Sequence, residues 1–573
     1  MRRAALALVA AALACSHAED RVKTASGSQA SGSTEAAPQD PAAAGGKSER
    51  SGALTAKPRS KVGGEGTEHP PPGSPADVRT AAETPVAAPN EVPVLALPAS
   101  QKPMVTVALR FTTGAVDDPK GQAGITSLAA RVMSEGGTQS LDARSLLLAL
   151  FPMATSIDAR VDKELTTFSA TVHRDNLEKL LPILLDVVAH PRWDPREFAR
   201  LRDAAVIDVE KRLRQGDDEN LGKEALGELL YRGHPYGRLT EGHVADLKAL
   251  TLEDVKAHAA KVFTADRLTV GIAGGYPQGL PERVAAALAG LPTAGPDHAA
   301  IPQQQPHGPR YLLIEKQGDA TAISCGFPWQ LSHKDPDWAA LSVARSAFGE
   351  HRQFNGRLMQ RLREQRGLNY GDYAYIEHFQ QQGGNAATAQ LGRARHQQDF
   401  TVWLRPMQNE NRLFALRAAL HELSRSLDAD PFADDEVRQT KGFLDGYLLL
   451  FDQTDARKLG YALDGDFLGQ QDFLQKWRAA VREVSAADVN AAWKKWVKPD
   501  ALECVLVGPG MDEAKRALLS DAETPMHYQK DAQGNVPEKP AALLEADRAV
   551  NRTPFGARGD QDVVIVPIEK IFE

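Results

Sequence analysis

The chain has 573 residues, 42% hydrophobic and 25% charged, with a formal net charge of −8 and a pI near 6.1. That length exceeds one ordinary core, so two or more soluble globular domains are expected. The acidic balance supplies no basic footprint, so no nucleic-acid partner is expected.

The chain opens MRRAALALVAAALACSHAED, two arginines followed by an apolar run over residues 4–14 and then Cys15. Such a run is too short to span a bilayer as a helix but has the length of an export-signal core. Its ALAC ending resembles the lipobox of bacterial lipoproteins, whose cysteine is lipidated and becomes the mature N-terminus, although Ala12 stands where leucine is commoner. Residues 1–15 are read as a signal peptide and Cys15 as the lipidation site, which places the protein in the periplasm or outer membrane on an N-terminal lipid anchor. An ordinary cleaved signal with an incidental cysteine is the alternative. No later segment is long and apolar enough for a transmembrane helix.

Residues 16–90 are dominated by Ala, Gly, Ser, Pro and Glu and carry almost no large apolar side chains. Burial cannot offset their ordering entropy, so a disordered linker is expected, with a root-mean-square reach of about 45 Å.

The next strong signal is GITSLAARVMSEGGT, residues 124–138. Ile125, Leu128, Ala129, Val132 and Met133 recur at i, i+3, i+4, i+7 and i+8, which predicts one buried helical face. Ser127, Ala130, Arg131 and Ser134 fall on the other face, and none is a general base or a good metal ligand at neutral pH.

A repeat organises the rest of the chain. TLEDVKAHAAKVFTADRLTVGIAGG from Thr251 aligns without a gap on SAADVNAAWKKWVKPDALECVLVGPG from Ser485, at an offset of 234. Each begins with a capping signature, Thr251 with Asp254 and Ser485 with Asp488, opens an amphipathic helix and turns at an aspartate into an apolar strand. Upstream, VPVLALPA with VTVALRF, and YLLIEK with ATAISCGF, read as consecutive strand pairs. ELTTFSATVHRDNLEKLLPILLDVV and DFTVWLRPMQNENRLFALRAALHEL each read as a strand feeding a helix. The fold class is therefore α+β, with two homologous domains, 91–300 and 308–515, each a mostly antiparallel sheet packed with helices. Residues 516–573 form a C-terminal extension, mostly an extended arm, with a β-branched run at residues 563–566 able to join a sheet edge of this chain or of a partner. Cys325 and Cys504 lie in strand-like runs; in an exported protein they could pair, and two separate buried thiols are the preferred reading.

The GxxxLxxxxxxxGGT helix, HPYG at 234–237 and RLREQRGLNY at 361–370, in this order across two repeated domains, resemble the pitrilysin/insulinase family of zinc metallopeptidases. The resemblance covers residues 91–515. In active members the first helix carries H-x-x-E-H, two zinc-binding histidines around a general-base glutamate, with a third ligand about seventy-five to eighty residues later. Here Ser127 stands at the first histidine, Ala130 at the glutamate and Arg131 at the second histidine. The third-ligand position falls at Asp208 by spacing from Arg131, or at Glu210 by counting back from HPYG. A single carboxylate is not a zinc site, and a guanidinium repels a divalent cation. No two of the fifteen histidines lie at helical ligand spacing around a carboxylate, and HELSR at His421 has Arg425 where a second histidine would stand.

The resemblance further implies a substrate-binding pair. An arginine and a tyrosine seven apart hold substrate backbone carbonyls in active members, and Arg363 and Tyr370 match them. Left to the residues alone, Arg363 would sit on a solvated helical face above inward Leu358 and Leu362, and Tyr370 would start a strand.

A chain with this clamp and no zinc helix resembles the non-catalytic member of a two-subunit peptidase. The expected partners are a zinc-bearing paralogous subunit, a peptide substrate and, through the lipid anchor, the membrane. No cofactor is expected in this chain, zinc belonging to the partner. A pseudoenzyme lipoprotein that binds peptides or scaffolds an envelope complex is the alternative, and an active peptidase with remodelled ligands a third.

Overall fold

The computed structural model describes residues 92–293, 295, 301–351, 353–378 and 394–573. The signal peptide, Cys15 and the linker read from the sequence lie outside the described residues.

The first sheet begins with β1 (Val94–Ala96) and β2 (Met104–Phe111). Helix α1 (Ile125–Glu135) follows, then β3 (Asp158–Val161), β4 (Thr166–His173), α2 (Leu177–Ala189) and α3 (Pro195–Ile207). A π-helical turn, Asp208–Leu213, joins α3 towards α4 (Asp218–Leu230). Helix α5 (Leu252–Val262) and β5 (Leu268–Gly274) close the unit. The second sheet repeats the plan: β6 (Arg310–Glu315), β7 (Ala320–Trp329), α6 (Trp338–Gly349), β8 (Asp372–Tyr375), β9 (Gln398–Gln408), α7 (Arg412–Asp428), α8 (Asp455–Phe467), α9 (Ala486–Trp496) and β10 (Glu503–Gly508). These are two homologous α+β domains.

The repeat read from sequence has a physical counterpart at each copy. The Thr251 hydroxyl accepts from Asp254 N at 3.2 Å while the Asp254 carboxylate accepts from Thr251 N at 2.9 Å. Ser485 and Asp488 make the same pair at 3.2 and 3.0 Å. Two of the otherwise orphaned amide donors are satisfied at the start of both α5 and α9.

Strand order differs from the consecutive pairing expected. It is β1-β5-β2-β4-β3 in the first sheet and β11-β6-β10-β7-β9-β8 in the second, where β11 is Val563–Pro567. The strand that closes each repeat inserts between the first two: β5 is parallel to β1 and antiparallel to β2, and β10 is parallel to β6 and antiparallel to β7. The reason is burial. In the first sheet β5 is buried at six of its seven positions, whereas β1 is short and partly exposed, so β5 lies inside and β1 at the edge.

Each sheet has its own helices on one face, and its other face is covered by a helix from the other domain. Leu459 and Leu463 of α8 cluster with Ala108 and Ala273 of the first sheet. Gly271 leaves room for them, since a Cβ there would stand 2.7 Å from Leu463 Cδ1. Reciprocally α4 lies on the second sheet, where a Cβ on Gly222 would meet Ser324 Oγ at 3.2 Å. A buried ion pair, Arg110 Nη1 to Asp464 Oδ1 at 2.6 Å, pins α8 to β2.

The HPYG motif belongs to the same interface. His234 Nδ1 accepts from Tyr236 N at 3.0 Å, and the buried Tyr236 hydroxyl donates to Glu164, which also accepts from His396 N at 2.8 Å. Beside it Arg395 grips Asp162 through two hydrogen bonds of 2.8 and 2.6 Å, both side chains buried. A charge pair so enclosed persists because each partner satisfies the other.

The extension stays with its own chain: β11 adds parallel to β6, and Ile571 and Phe572 enter the first domain's core. Among the described residues no helix is long and apolar enough to cross a membrane.

The cysteines correct the expectation of separate thiols. Insertion of β10 beside β7 sets Cys504 directly opposite Cys325, Cα to Cα 4.1 Å, and the two form a disulfide closing a loop of 179 residues. Removing a native disulfide costs about 2–5 kcal/mol, and a loop this long lies at the upper end, so Cys504→Ala should lower unfolding free energy within that range. Chemical denaturation measures the loss, and peptide mass mapping without reductant should recover the linked pair.

Candidate functional site

Helix α1 is fixed at its N-terminus. Gly124 has φ +89°, and a Cβ there would stand 2.6 Å from Gly242 Cα. Buried Asp118 accepts from Gly124 N at 2.7 Å, Thr126 N at 3.1 Å and Thr126 Oγ1 at 2.5 Å. The predicted apolar face is buried, but so are Ala130 and Ser134, which the periodicity assigned to the opposite face. Packing encloses the small side chains, and only Ser127, Arg131 and Glu135 reach solvent.

Arg131 is the centre of this surface. Its Nη1 donates to Asp208 Oδ2 at 3.1 Å and its Nε to Glu135 Oε1 at 3.0 Å. Asp208 opens the π-helical turn and also accepts from Arg212 Nε at 2.8 Å. Glu210, the other candidate for the third-ligand position, turns away to accept from Lys248 Nζ at 2.8 Å, and that hydrogen bond holds its carboxyl below the usual range. Of the two residues read as candidates for the third-ligand position, Asp208 is the one that meets Arg131, through a guanidinium–carboxylate pair.

The donor set does not fit a divalent ion. Ser127 is a neutral hydroxyl, Ala130 offers no donor, and Arg131 places a permanent positive charge on the one carboxylate. Among the described residues no three His, Cys, Asp or Glu side chains converge to hold a metal. HELSR lies on α7, where His421 Nδ1 and Thr553 Oγ1 share a hydrogen bond of 2.8 Å and Glu422 accepts from Arg361.

Arg363 lies in a second π-helical turn, Met359–Glu364, with Leu358 and Leu362 buried beneath it. Its guanidinium is half-buried, 5.4 Å from the Phe354 ring centroid and 3.4 Å from Glu364 Oε1. Tyr370 does not start a strand. It stands in the bend before β8, 79% exposed.

The bend is held from within by residues that the sequence did not single out. Asn369 Nδ2 donates to Asp372 Oδ1 at 2.6 Å and to Arg405 O at 3.1 Å, while Gly371 N donates to Asn369 Oδ1 at 3.0 Å. Burial pushes Asp372 up to about 7. Gly371 has φ +152°, and a Cβ there would stand 2.5 Å from Tyr373 OH. The local signal was N-x-G-D, an Asx-type turn.

Comparison with known proteins places this arrangement. A family model described as insulinase (peptidase family M16) matches residues 94–243, and one described as the peptidase M16 inactive domain matches residues 249–422, together more than half of the chain. An uncharacterized zinc protease of Mycobacterium leprae is 24% identical over 370 residues, covering 62% of this chain and 76% of that protein. A non-peptidase homolog from Helicobacter pylori is 24% identical over 292 residues, covering 49% of this chain and 64% of that protein. Across the relatives matched, the chain spans from 29% to 76% of their length. The crystal structure of a peptidase M16 inactive domain from Pseudomonas fluorescens superposes with a TM-score of 0.64 at 22% identity, covering 74% of this chain and 96% of that one. The chain belongs to the insulinase family of M16 peptidases.

Proposed function

We propose that this chain is the non-catalytic subunit of a heterodimeric zinc peptidase, completing the substrate chamber around a zinc-bearing paralogue. The observation that supports the reading is the Arg131–Asp208 pair, which on this reading puts a guanidinium at the metal position, beside an exposed Tyr370 and a partly exposed Arg363. A phenol and a guanidinium both donate hydrogen bonds, so together they grip an extended peptide by its carbonyls without reading side chains. The partner's zinc would supply the hydrolytic chemistry, while Arg363 and Tyr370 of this chain would hold the peptide carbonyls.

Export fits the same reading. A disulfide persists in an oxidising compartment, which agrees with a lipobox at Cys15, a lipid anchor and a periplasmic or outer-membrane location. The second reading, a pseudoenzyme lipoprotein that captures peptides or scaffolds an envelope complex, draws on the relative named a non-peptidase homolog.

Purified alone, the chain should cleave no unstructured reporter peptide. An equimolar zinc-bearing paralogue from the same genome should form a complex with it and raise cleavage above that of the paralogue alone. Arg363→Ala should lower kcat/KM of the pair by about 10- to 100-fold, and Tyr370→Phe by roughly tenfold. Full activity of the lone chain would sink the proposal, and a complex indifferent to Arg363 would favour the second reading.

The placement of the ligand positions has its own test. In Ser127→His/Arg131→His two imidazoles stand one helical turn apart beside Asp208, and the variant should retain about one zinc per chain by elemental mass spectrometry. Failure to take up zinc would mean that Asp208 is not at the ligand position.

A further inference from the structure

Two features of the site share an energetic problem. Asp208 and Arg363 both lie in π-helical turns, closed by Arg214 N to Val209 O at 3.0 Å and by Gln365 N to Gln360 O at 3.1 Å. Such wide turns pack poorly along their own axis and persist where the surroundings hold them. The surroundings here are specific. Each turn is followed by an arginine that is almost wholly buried, Arg214 with 7% and Arg366 with 2% of the side chain exposed. A buried guanidinium requires acceptors, and each finds them in the segment after the second repeat.

Arg366 Nε donates to Asp547 Oδ1 at 2.8 Å, and its Nη1 returns to Arg361 O at 2.5 Å across the turn. The other Asp547 oxygen accepts from Tyr528 OH at 2.6 Å. Asp547 lies on helix α10 (Ala541–Asn551), which packs on α7. At the other turn, Arg214 Nε donates to Ile571 O at 2.5 Å and its Nη2 to Glu573 Oε2 at 3.0 Å. Ile571 and Phe572 are buried in the first domain's core, with Val244 N donating to Phe572 O at 2.9 Å. Between the two anchors β11 is hydrogen-bonded to β6. One segment thus anchors on the Arg363-bearing turn of one domain, runs along the edge of the second sheet as a strand, and anchors on the Asp208-bearing turn of the other.

We infer that residues 521–573 are a positioning strap, in which Asp547 fixes the Arg363–Tyr370 stretch through Arg366, and Ile571 to Glu573 fix the Asp208 turn through Arg214. The clamp role of Arg363 and Tyr370 rests on the function proposed above; the anchoring does not. Asp547 is therefore a positioning residue. It touches no peptide, and its carboxylate sets where Arg363 and Tyr370 stand.

Hydrogen exchange by mass spectrometry on the full-length protein tests this, read together with binding of a fluorescein-labelled unstructured peptide. In Asp547→Asn, amides across 361–372 should exchange about tenfold faster while β10 is unchanged, and Asp547→Glu should recover most of the protection. Phe572→Ala should speed residues 208–216 by about the same factor and leave 361–372 alone. If Asp547→Asn does not fold, Tyr528→Phe, which removes one hydrogen bond to the same carboxylate, should show the smaller change confined to 361–372. Wild-type exchange across 361–372 in these variants, or uniform acceleration of every segment, would overturn the strap. Where the wild type binds the peptide, Asp547→Asn should weaken Kd by about tenfold. Where the wild type binds none, the clamp reading fails while the exchange result still decides the strap.

Discussion

The central strands of each sheet are buried on both faces, and each domain's own helices cover only one of them. The remaining faces are closed by exchange, α4 of the first domain lying on the second sheet and α8 of the second lying on the first. Gly271 and the Arg110–Asp464 pair set how close α8 comes. Everything near the candidate site inherits its position from this exchange. The Asp208 turn leads into α4, and the HPYG segment comes directly after α4, where Tyr236 and Glu164 seal the seam. Neither domain is complete without the other, and the two halves of the repeat form one body.

On that frame helix α1 is a firmly held, largely buried element with one solvent-facing edge. Its start is held by Asp118, its apolar face is buried, and its solvent-facing positions carry a guanidinium bound to a carboxylate. A pair with 31% and 26% of its side chains exposed is worth about 0–1 kcal/mol, so stability does not explain it. Its consequence is electrostatic: the carboxylate that would face a cation is neutralised by a charge that cannot be titrated away. Under the proposed function, the chemistry that persists is donor chemistry, at Arg363 and Tyr370.

The sequence revealed local physics well and non-local physics poorly. The two capping boxes and their apolar strands are local, so the repeat and the α+β class could be read directly. Insertion of β5 and β10 between earlier strands is a choice among distant pairings that strand-like runs do not encode, and the Cys325–Cys504 disulfide results only from that choice. Ala130 and Ser134 are buried because their small side chains let neighbours close over them, which helical periodicity does not register. Asp208 and Glu210 could not be told apart by counting along the chain; which of them meets Arg131 depends on a fold contact between residues 77 apart. The Asp547–Arg366 contact links positions 181 residues apart and left no pattern along the chain.

The central claim is that the metal position of this family is filled here by the Arg131–Asp208 pair. Calorimetric titration of metal-free wild-type protein with zinc at neutral pH tests it most directly. The account predicts no saturable site tighter than about micromolar, since two ligands are missing and the third is neutralised. One equivalent of zinc bound tightly, with the loss of that binding in Asp208→Ala, would contradict it.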